Sequence, residues 1–268
     1  MKVKDGFLLG ILVFYPFIGG LLAYLARRKN EKSRNVTAYV IALSELAIML
    51  YLMACYGPFA VRTESGHAFL EFTVPRICGL GLHFTLDGFR VIYGTIVALM
   101  WAGATLLSGE YFRHHKNTNR FYLFLLWTLG ATMAVFLSAD LFTTFIFFEI
   151  MSFTSYTWVA QEENKESLNA AATYLAVAVI GGLVMLMGLM ILYHELGTVA
   201  IGELLEATEL YEGNRICIYA ARVCLFFGFA AKAGAFPLHI WLPKAHPVAP
   251  APASALLSGI LTKTGMFG

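Results

Sequence analysis

Hydrophobic residues run along the chain in long blocks that are separated by short polar stretches. Because a helix that spans a bilayer needs about 20 mainly apolar residues, each block predicts one transmembrane helix. The blocks cover residues 6–26, 36–57, 86–107, 121–138, 140–160, 168–192, 216–236 and the stretch from 253 onward. The pattern therefore predicts an all-α polytopic membrane protein with about eight transmembrane helices.

Two of the connecting stretches are long and carry patterns of their own. Residues 58–85 contain FLEFTV and GLHFTL, in which apolar and polar positions alternate, so they predict a small hairpin outside the membrane. Residues 193–214 include TVAIGELLEATEL, which predicts a short surface helix.

The seventh hydrophobic block ends in a break. The segment AAKAGAFPLHIWLP, residues 230–243, places Lys232 at the end of an apolar run and then interrupts the chain at Pro237 and Pro243. Proline removes a backbone hydrogen bond and breaks the interior of a helix. The seventh transmembrane helix is therefore predicted to be broken just after a buried cation.

Composition agrees with a membrane protein and excludes several other classes. Of the 268 residues, 59% are hydrophobic and 13% are charged, whereas a soluble domain carries about 25% charged residues. The mean hydropathy is +0.69. The formal net charge of +2 gives no reason to expect a nucleic-acid partner. The four cysteines lack CxxC spacing, so neither a metal nor a cofactor site is expected.

The distribution of lysine and arginine predicts the orientation of the chain. With the N-terminus outside, the inward loops hold ten of these residues and the outward stretches hold five. The first hydrophobic block meets RRKNEKSR without a small-residue cleavage site, so a retained helix is expected there rather than a signal peptide.

Three ionisable residues within the predicted membrane helices are candidate functional groups. They are Glu149 in the fifth block, Lys232 at the end of the seventh, and Lys263 in the eighth. A charged side chain at the bilayer centre costs about 2.5–3.5 kcal/mol on insertion scales, so such residues are rarely kept without a function. Ser152 lies near helical spacing from Glu149 and gives the fifth helix a polar face.

A glutamate and a lysine in one membrane interior form a pair that can move a proton. Burial penalises the charged form of each group, and an opposite charge nearby restores it. Two unit charges about 6 Å apart interact by about 2.8 kcal/mol at an effective dielectric constant of about 20. Movement of Glu149 toward or away from Lys232 is therefore expected to load or unload a proton on the lysine.

Two histidines, His239 and His246, lie in the proline-rich break. A histidine titrates near neutral pH and can relay protons. The alternative is that each one hydrogen-bonds backbone carbonyls that the prolines leave unpaired. Both interpretations stand, and the relay is preferred for His246.

Four other charged residues have structural interpretations that compete with a functional one. Glu45, in the second block, is expected to hydrogen-bond another helix, and Arg222 is expected to extend to the membrane interface. Asp87 and Arg90 lie three residues apart at the start of the third helix, so a local surface pair is expected.

Longer stretches of the sequence resemble a known family. KAGAFPLHIWLPKAHPVAPAPASALLSGILTKTG is similar to the broken-helix signature of antiporter-like, proton-translocating membrane subunits, while FFEIMSFTSY and LDGFRVIYG resemble the family's fifth-helix and third-helix segments. Such subunits occur in respiratory complex I, in Mrp-type sodium/proton antiporters and in energy-converting hydrogenases. The segment KAHPVAPAPASALLSG favours the hydrogenase-4 and formate hydrogenlyase type.

The resemblance implies a role for each candidate residue. Glu149 would set the charge state of Lys232, Lys232 would hold the transferred proton, and Lys263 would pass it on laterally through water. His246 and His239 would be possible relay groups. The chain would then comprise helices 1–3 in residues 1–120 and a first antiporter-like repeat, one half of an inverted-repeat fold, in residues 121–268.

The resemblance also implies a cellular setting. The chain would be a multi-pass protein of the inner (cytoplasmic) membrane, a non-catalytic subunit that moves protons or sodium ions within a redox-driven complex. Its partners would be other membrane subunits, the lipid bilayer and the transported ions. The alternatives are a subunit of a stand-alone Mrp-type antiporter and a structural scaffold. Because family members have about fourteen helices, the sequence is expected to be either a fragment or a split subunit.

Overall fold

The computed structural model describes residues 2–26, 30–57, 70–113, 115 and 118–267, with side chains from residue 6 onward. Almost all of this part of the chain is helical. The helices are α1 (Lys2–Ala26), α2 (Glu31–Tyr56), α3 (Gly88–Tyr111), α4 (Asn119–Leu137), α5 (Leu141–Val159), α6 (Lys165–Leu196), α7 (Leu204–Glu209), α8 (Arg215–Ala233), α9 (Leu242–Val248), α10 (Ala251–Leu256) and α11 (Thr262–Phe267).

Six of these helical stretches are long and apolar enough to cross a membrane, counting only the residues that the structure describes. They are Gly6–Ala26, Glu31–Tyr56, Gly88–Tyr111, Asn119–Leu137, Lys165–Leu196 and Arg215–Val248. The two remaining predicted blocks are helical as well. The fifth block is α5, whose 19 residues include several threonines and serines besides Glu149, and the eighth is α10 and α11 joined by a π-helical segment at Leu257–Leu261.

Polar caps fix where the helices begin. Five helices are preceded by an asparagine or aspartate whose side chain accepts a hydrogen bond from a backbone N–H of the first turn. These residues are Asn30 before α2, Asp87 before α3, Asp140 before α5, Asn164 before α6 and Asn214 before α8. Because the first turns of α2 and α6 are polar, these helices begin at Glu31 and Lys165, ahead of the predicted starts at 36 and 168.

The predicted hairpin is present. Strands β1 (Leu70–Val74) and β2 (Leu82–Leu86) pair antiparallel, with Phe72 opposite Phe84. The Phe84 ring is buried and lies 5.7 Å from that of Phe147 on α5, between ring centroids. The hairpin therefore caps one end of the helices, while residues 58–69 of the predicted loop lie outside the described part of the chain. The predicted surface helix is also present, as α7.

Helix α4 lies at the centre of the packing. Nearly every side chain along it is buried, since α1, α2 and α3 pack on one side and α5 on the other. A helix that is apolar all round is expected in such a position. From α5 the packing continues to α6, and from α6 to α8. The fold thus brings α5, α6 and the end of α8 together around one interior point.

Candidate site at the break after α8

Lys232 occupies that interior point. Its side chain is 3% exposed, and Nζ donates hydrogen bonds of 2.8 Å to Ser152 Oγ on α5 and of 2.8 Å to the Tyr174 hydroxyl on α6. The aromatic rings of Phe148 and Tyr174 lie 5.7 Å and 5.1 Å from Nζ, centroid to atom, within the range of a cation–π interaction. Two neutral hydroxyl groups, rather than a carboxylate, hold the lysine.

Both hydroxyl groups donate their own protons elsewhere. Ser152 Oγ donates to the Phe148 carbonyl at 2.8 Å. The Tyr174 hydroxyl lies 2.6 Å from Ser155 Oγ. Because Ser155 Oγ already donates to the Met151 carbonyl at 2.6 Å, the tyrosine is the donor in this contact. Each hydroxyl therefore presents a lone pair to Nζ, which suits the charged ammonium form of Lys232.

Glu149 lies one turn before Ser152 on α5 and points toward α6. Its carboxyl packs against Gly182, where an added Cβ atom would lie 2.0 Å from Oε1. Oε1 is buried and has no hydrogen-bond partner within the described part of the chain. Glu149 and Lys232, both of which the structure describes, form no ion pair within 4.0 Å. The carboxyl therefore lies in the same interior region without binding the lysine directly.

The helix break directly follows Lys232. Helix α8 ends at Ala233, and Gly234 adopts φ 71°, a left-handed conformation that costs glycine little. The amides of Gly234 and Ala235 both donate to the Ala230 carbonyl, which satisfies the end of the helix. The peptide between Phe236 and Pro237 is cis, and a short 3₁₀ helix, Leu238–Trp241, leads into α9.

Trp241 fastens the chain after the break to the site. Its side chain is 1% exposed, its Nε1 donates to the Ala231 carbonyl at 2.9 Å, and its ring lies 4.9 Å from that of Tyr174. The tryptophan therefore bridges the last turn of α8 and the tyrosine that binds Lys232.

Close contact between α6 and α8 depends on glycines. A Cβ atom at Gly188 would lie 2.7 Å from the Ala221 carbonyl oxygen, and one at Gly228 would lie 2.9 Å from the Gly181 carbonyl oxygen. Small residues let membrane helices approach each other in this way. The glycines thus set the distance between the helix that carries Tyr174 and the helix that carries Lys232.

The two histidines lie on the other side of the break. His239 and His246 are exposed and line an open cavity of about 580 Å³. His246 Nδ1 is hydrogen-bonded to Ser254 Oγ on α10, and that hydroxyl donates to the His246 carbonyl at 2.8 Å. Neither histidine belongs to the hydrogen-bonded group around Lys232.

Lys263 lies on α11, and its side chain is exposed while the flanking Thr262 and Thr264 are buried. Helix α11 packs against α8 through Gly265, where an added Cβ atom would lie 2.5 Å from the Phe229 carbonyl oxygen. Lys263 therefore faces away from Lys232, and the structure does not bring the two lysines together.

The remaining charged candidates have varied environments. Asp87 and Arg90 form the expected local ion pair, but the pair is partly buried, because Arg90 Nη2 also donates to the Ser138 carbonyl at 3.0 Å. Arg222 is exposed and lies 5.9 Å from the Tyr219 ring centroid. The hydrogen bond expected between Glu45 and another helix is absent, since both of its oxygens lack a partner among the described residues.

Outside the membrane helices, one tyrosine has an altered acidity. A hydrogen bond to the Glu195 carboxylate, with desolvation, raises the pKa of Tyr211. The contact ties the loop before α8 to the end of α6. Within the described residues, no three His, Cys, Asp or Glu side chains are grouped in a way that could hold a metal ion.

The sequence analysis did not identify three parts of the site. Tyr174 and Ser155 resemble the occasional polar residues of any membrane helix, so no local signal separates them from packing residues. Gly182 belongs to a Gly-Gly pair in the middle of a long apolar block, and that pair was the available signal. A glycine pair inside a helix indicates close approach by a neighbour.

Together, the fold and the site define a polytopic helical membrane protein with a buried ionisable centre at a helix break. Residues 138–268 match a protein-family model described as "NADH:quinone oxidoreductase/Mrp antiporter, TM". Residues 138–268 thus carry the membrane domain of this antiporter-like family, as the sequence resemblance indicated.

Two relatives and one solved structure illustrate the similarity. NADH-quinone oxidoreductase subunit M of Escherichia coli (strain K12) is 32% identical, over 97% of this chain and 53% of that protein. Hydrogenase-4 component B of Escherichia coli (strain K12) is 30% identical, over 70% of this chain and 28% of that protein. In the Mrp complex from Dietzia sp. DQ12-45-1b, one chain matches with a TM-score of 0.80 and 21% identity, over 100% of this chain and 48% of that one.

These matches are of nearly equal strength across complex I-like, hydrogenase and Mrp proteins, so they do not favour one complex. The chain spans about half the length of subunit M and less than a third of the hydrogenase component. The structural match, at low identity, concerns the fold alone.

Proposed function

We propose that this chain translocates protons, with Lys232 as the group that holds the transferred proton. The observation that carries the proposal is the burial of Lys232 beside a helix break with hydroxyl partners only. A buried ammonium paired to a carboxylate is held in its charged form, because removal of the proton leaves an uncompensated negative charge. A neutral amine still has two N–H groups that can donate to the two hydroxyls, so Lys232 can give up a proton and keep its partners.

Glu149 is then the charge that controls the lysine. It lies close enough for electrostatic coupling to Lys232 and too far for an ion pair. A shift of the carboxyl toward Lys232 favours the ammonium, and a shift away favours the amine. The Gly182 surface against which Glu149 packs provides no hydrogen bond that would fix Oε1 in one place.

The proton path continues from Lys232 through neighbouring polar groups. Tyr174 and Ser155 extend the hydrogen-bonded chain along α5 and α6. On the other side of the break, His246 and His239 line an open cavity and serve as relay groups to water. Lys263, on the exposed face of α11, passes protons laterally to groups beyond the described residues.

The larger architecture is part of the same proposal. Residues 1–120 form the N-terminal helices, and residues 121–268 form the first repeat of an inverted pair, so that eight helices cross the inner membrane in all. The N-terminus lies outside, as the lysine and arginine counts predict. Other membrane subunits supply the redox reaction, and the chain itself is non-catalytic.

A sodium-transporting, stand-alone antiporter is the second candidate, since the matching family model includes Mrp antiporters. An amine binds a proton but offers no site for a hard metal ion, which prefers several oxygen ligands. The site at Lys232 therefore favours protons. A scaffold without transport is the third candidate.

The test replaces Lys232 by alanine in the intact assembly, in membrane vesicles energised by its electron donor. A pH-sensitive dye reports proton uptake. We expect Lys232→Ala to lower uptake at least tenfold, whereas Lys244→Ala, an exposed lysine beyond the break, leaves it unchanged. Uptake at the wild-type rate in Lys232→Ala identifies a scaffold. Exchange that runs on a sodium gradient without the donor identifies the antiporter.

A further inference from the structure

Glu45 lies far from the break and is buried more completely than any of the predicted site residues. It belongs to the inward face of α2, a stripe that also contains Ala38, Met49 and Leu52. Its side chain is 0% exposed. Both carboxyl oxygens are buried and have no hydrogen-bond partner in the part of the chain that the structure describes.

The helices around Glu45 supply no countercharge. Helix α2 packs against α1, α3 and α4. Residues 6–26 of α1 are uncharged, and from residue 35 to the end of α2 Glu45 is the sole charged residue. On α3 and α4 the charged side chains, Arg90, Glu110 and Arg120, lie at the helix ends, and each pairs elsewhere.

In residues 6–26 of α1, on α3 and on α4, the other titratable groups are tyrosines, and those with described contacts make them elsewhere. The Tyr15 hydroxyl contacts Ser44 Oγ at 3.4 Å, the Tyr93 ring stacks on Phe136, and the Tyr122 ring lies 4.5 Å from the Arg34 guanidinium carbon. Arg34, three turns before Glu45, is also hydrogen-bonded to Asn35. None of these contacts reaches the carboxyl of Glu45.

A carboxylate in such a place would be an isolated charge in an apolar interior. The neutral, protonated carboxyl is the form that this environment accepts, because a buried charge needs a partner.

We propose that Glu45 is a second proton-binding site, separate from Lys232, which holds a proton in the interior of α1–α4 and exchanges it with water. The proposal concerns the carboxyl itself and stands whether or not Lys232 carries transported protons. It gives the N-terminal helices a protonatable centre of their own.

Infrared spectroscopy of the purified assembly in lipid tests the proposal. We expect the wild-type protein at neutral pH to show a carbonyl band of a protonated carboxyl that shifts in D₂O. The band should be missing in Glu45→Gln and unchanged in Glu110→Gln, which removes an exposed carboxyl of α3 that pairs with Arg113. Raising the pH should abolish the band, and returning to neutral pH should restore it.

Two results would overturn the proposal. A spectrum that is the same in Glu45→Gln and wild type would mean that Glu45 carries no proton at neutral pH. A band that survives at every pH at which the protein stays folded would mean a static neutral side chain. If Glu45→Gln does not assemble, Glu45→Asp keeps the carboxyl and must shift the band. Proton uptake of Lys232→Ala, measured in parallel, reports on the Lys232 site independently.

Discussion

At the scale of single residues, the ammonium group of Lys232 is hydrogen-bonded only to hydroxyl groups, which carry no charge. A hydrogen bond to a charged group contributes about 1.5–3 kcal/mol, and Lys232 makes two, to Ser152 and Tyr174. These two bonds offset part of the cost of burying the ammonium without fixing it permanently. Each of these hydroxyl groups on α5 and α6 can be removed by one substitution.

Tyr174→Phe removes the hydroxyl and keeps the ring that packs on Trp241. We expect the protein to fold normally and proton uptake to fall about tenfold, because the loss of about 1.5 kcal/mol at the ammonium changes its proton affinity by roughly that factor. The measurement is dye-reported uptake in energised vesicles. Tyr219→Phe, at an exposed tyrosine of α8, is the matched control. Wild-type uptake in Tyr174→Phe would show that the Tyr174 hydroxyl has no part in proton transfer at Lys232.

Gly182→Ala acts on Glu149. The new methyl group would lie 2.0 Å from Glu149 Oε1, so the carboxyl must move. We expect a loss of about 1–3 kcal/mol in the free energy of unfolding, the usual cost of overpacking, and slower proton uptake. Adding Glu149→Ala should restore the stability, since it removes the group that the methyl displaces. If the losses in the free energy of unfolding add up in the double variant, the new methyl group does not clash with Glu149. Gly103→Ala, with no atom within 4 Å of the added methyl, is the control.

At the scale of helices and strands, the close approach of α6 and α8 positions the site. Gly188→Ala places a methyl group 2.7 Å from the Ala221 carbonyl oxygen. A backbone atom cannot rotate away, so the helices must separate. We expect unfolding in denaturing detergent to be easier by about 1–3 kcal/mol and proton uptake to decrease, because Tyr174 moves away from Lys232. An unchanged midpoint relative to Gly103→Ala would contradict this account of the interface.

The helices themselves could be predicted from the sequence because apolar length alone specifies them. Every predicted block is helical, and the hairpin and α7 follow from local alternation and polarity. The starts of α2 and α6 were predicted several residues too late. Their first turns, which follow the caps Asn30 and Asn164, are polar, and a hydropathy pattern therefore does not include them. The break after Lys232 could be predicted because Gly234, Pro237 and Pro243 leave the backbone few alternatives.

Of the residues that form the site, mainly the charged ones could be predicted from the sequence. Lys232 and Glu149 are conspicuous because charges are rare in apolar blocks. Tyr174, Gly182 and the exposure of Lys263 depend on how α5, α6, α8 and α11 pack, and periodicity along one helix does not contain that information. Likewise, the packing of the helices around α2 leaves Glu45 without a hydrogen-bond partner among the described residues.

At the scale of the whole molecule, α4 joins two groups of helices. On one side, α1, α2 and α3 surround Glu45, and on the other, α5, α6 and α8 surround Lys232. The Thr128 hydroxyl on α4 donates to that of Thr154 on α5 at 2.9 Å, so a polar contact crosses between the groups. The two buried ionisable centres thus lie in one helical bundle, whose direction across the membrane can be tested.

That direction yields a prediction about topology. Cys78 lies exposed between the hairpin strands, and Lys165 lies at the start of α6, at the opposite ends of the helices that connect them. If the N-terminus is outside, as the excess of lysine and arginine in the alternate loops requires, a membrane-impermeant maleimide added to intact cells should label Cys78 at once. In a Cys78→Ser background, Lys165→Cys should be labelled only after the membrane is made permeable. The reverse pattern would place the N-terminus inside, and the cavity lined by His239 and His246 would then open to the outside rather than to the cytoplasm.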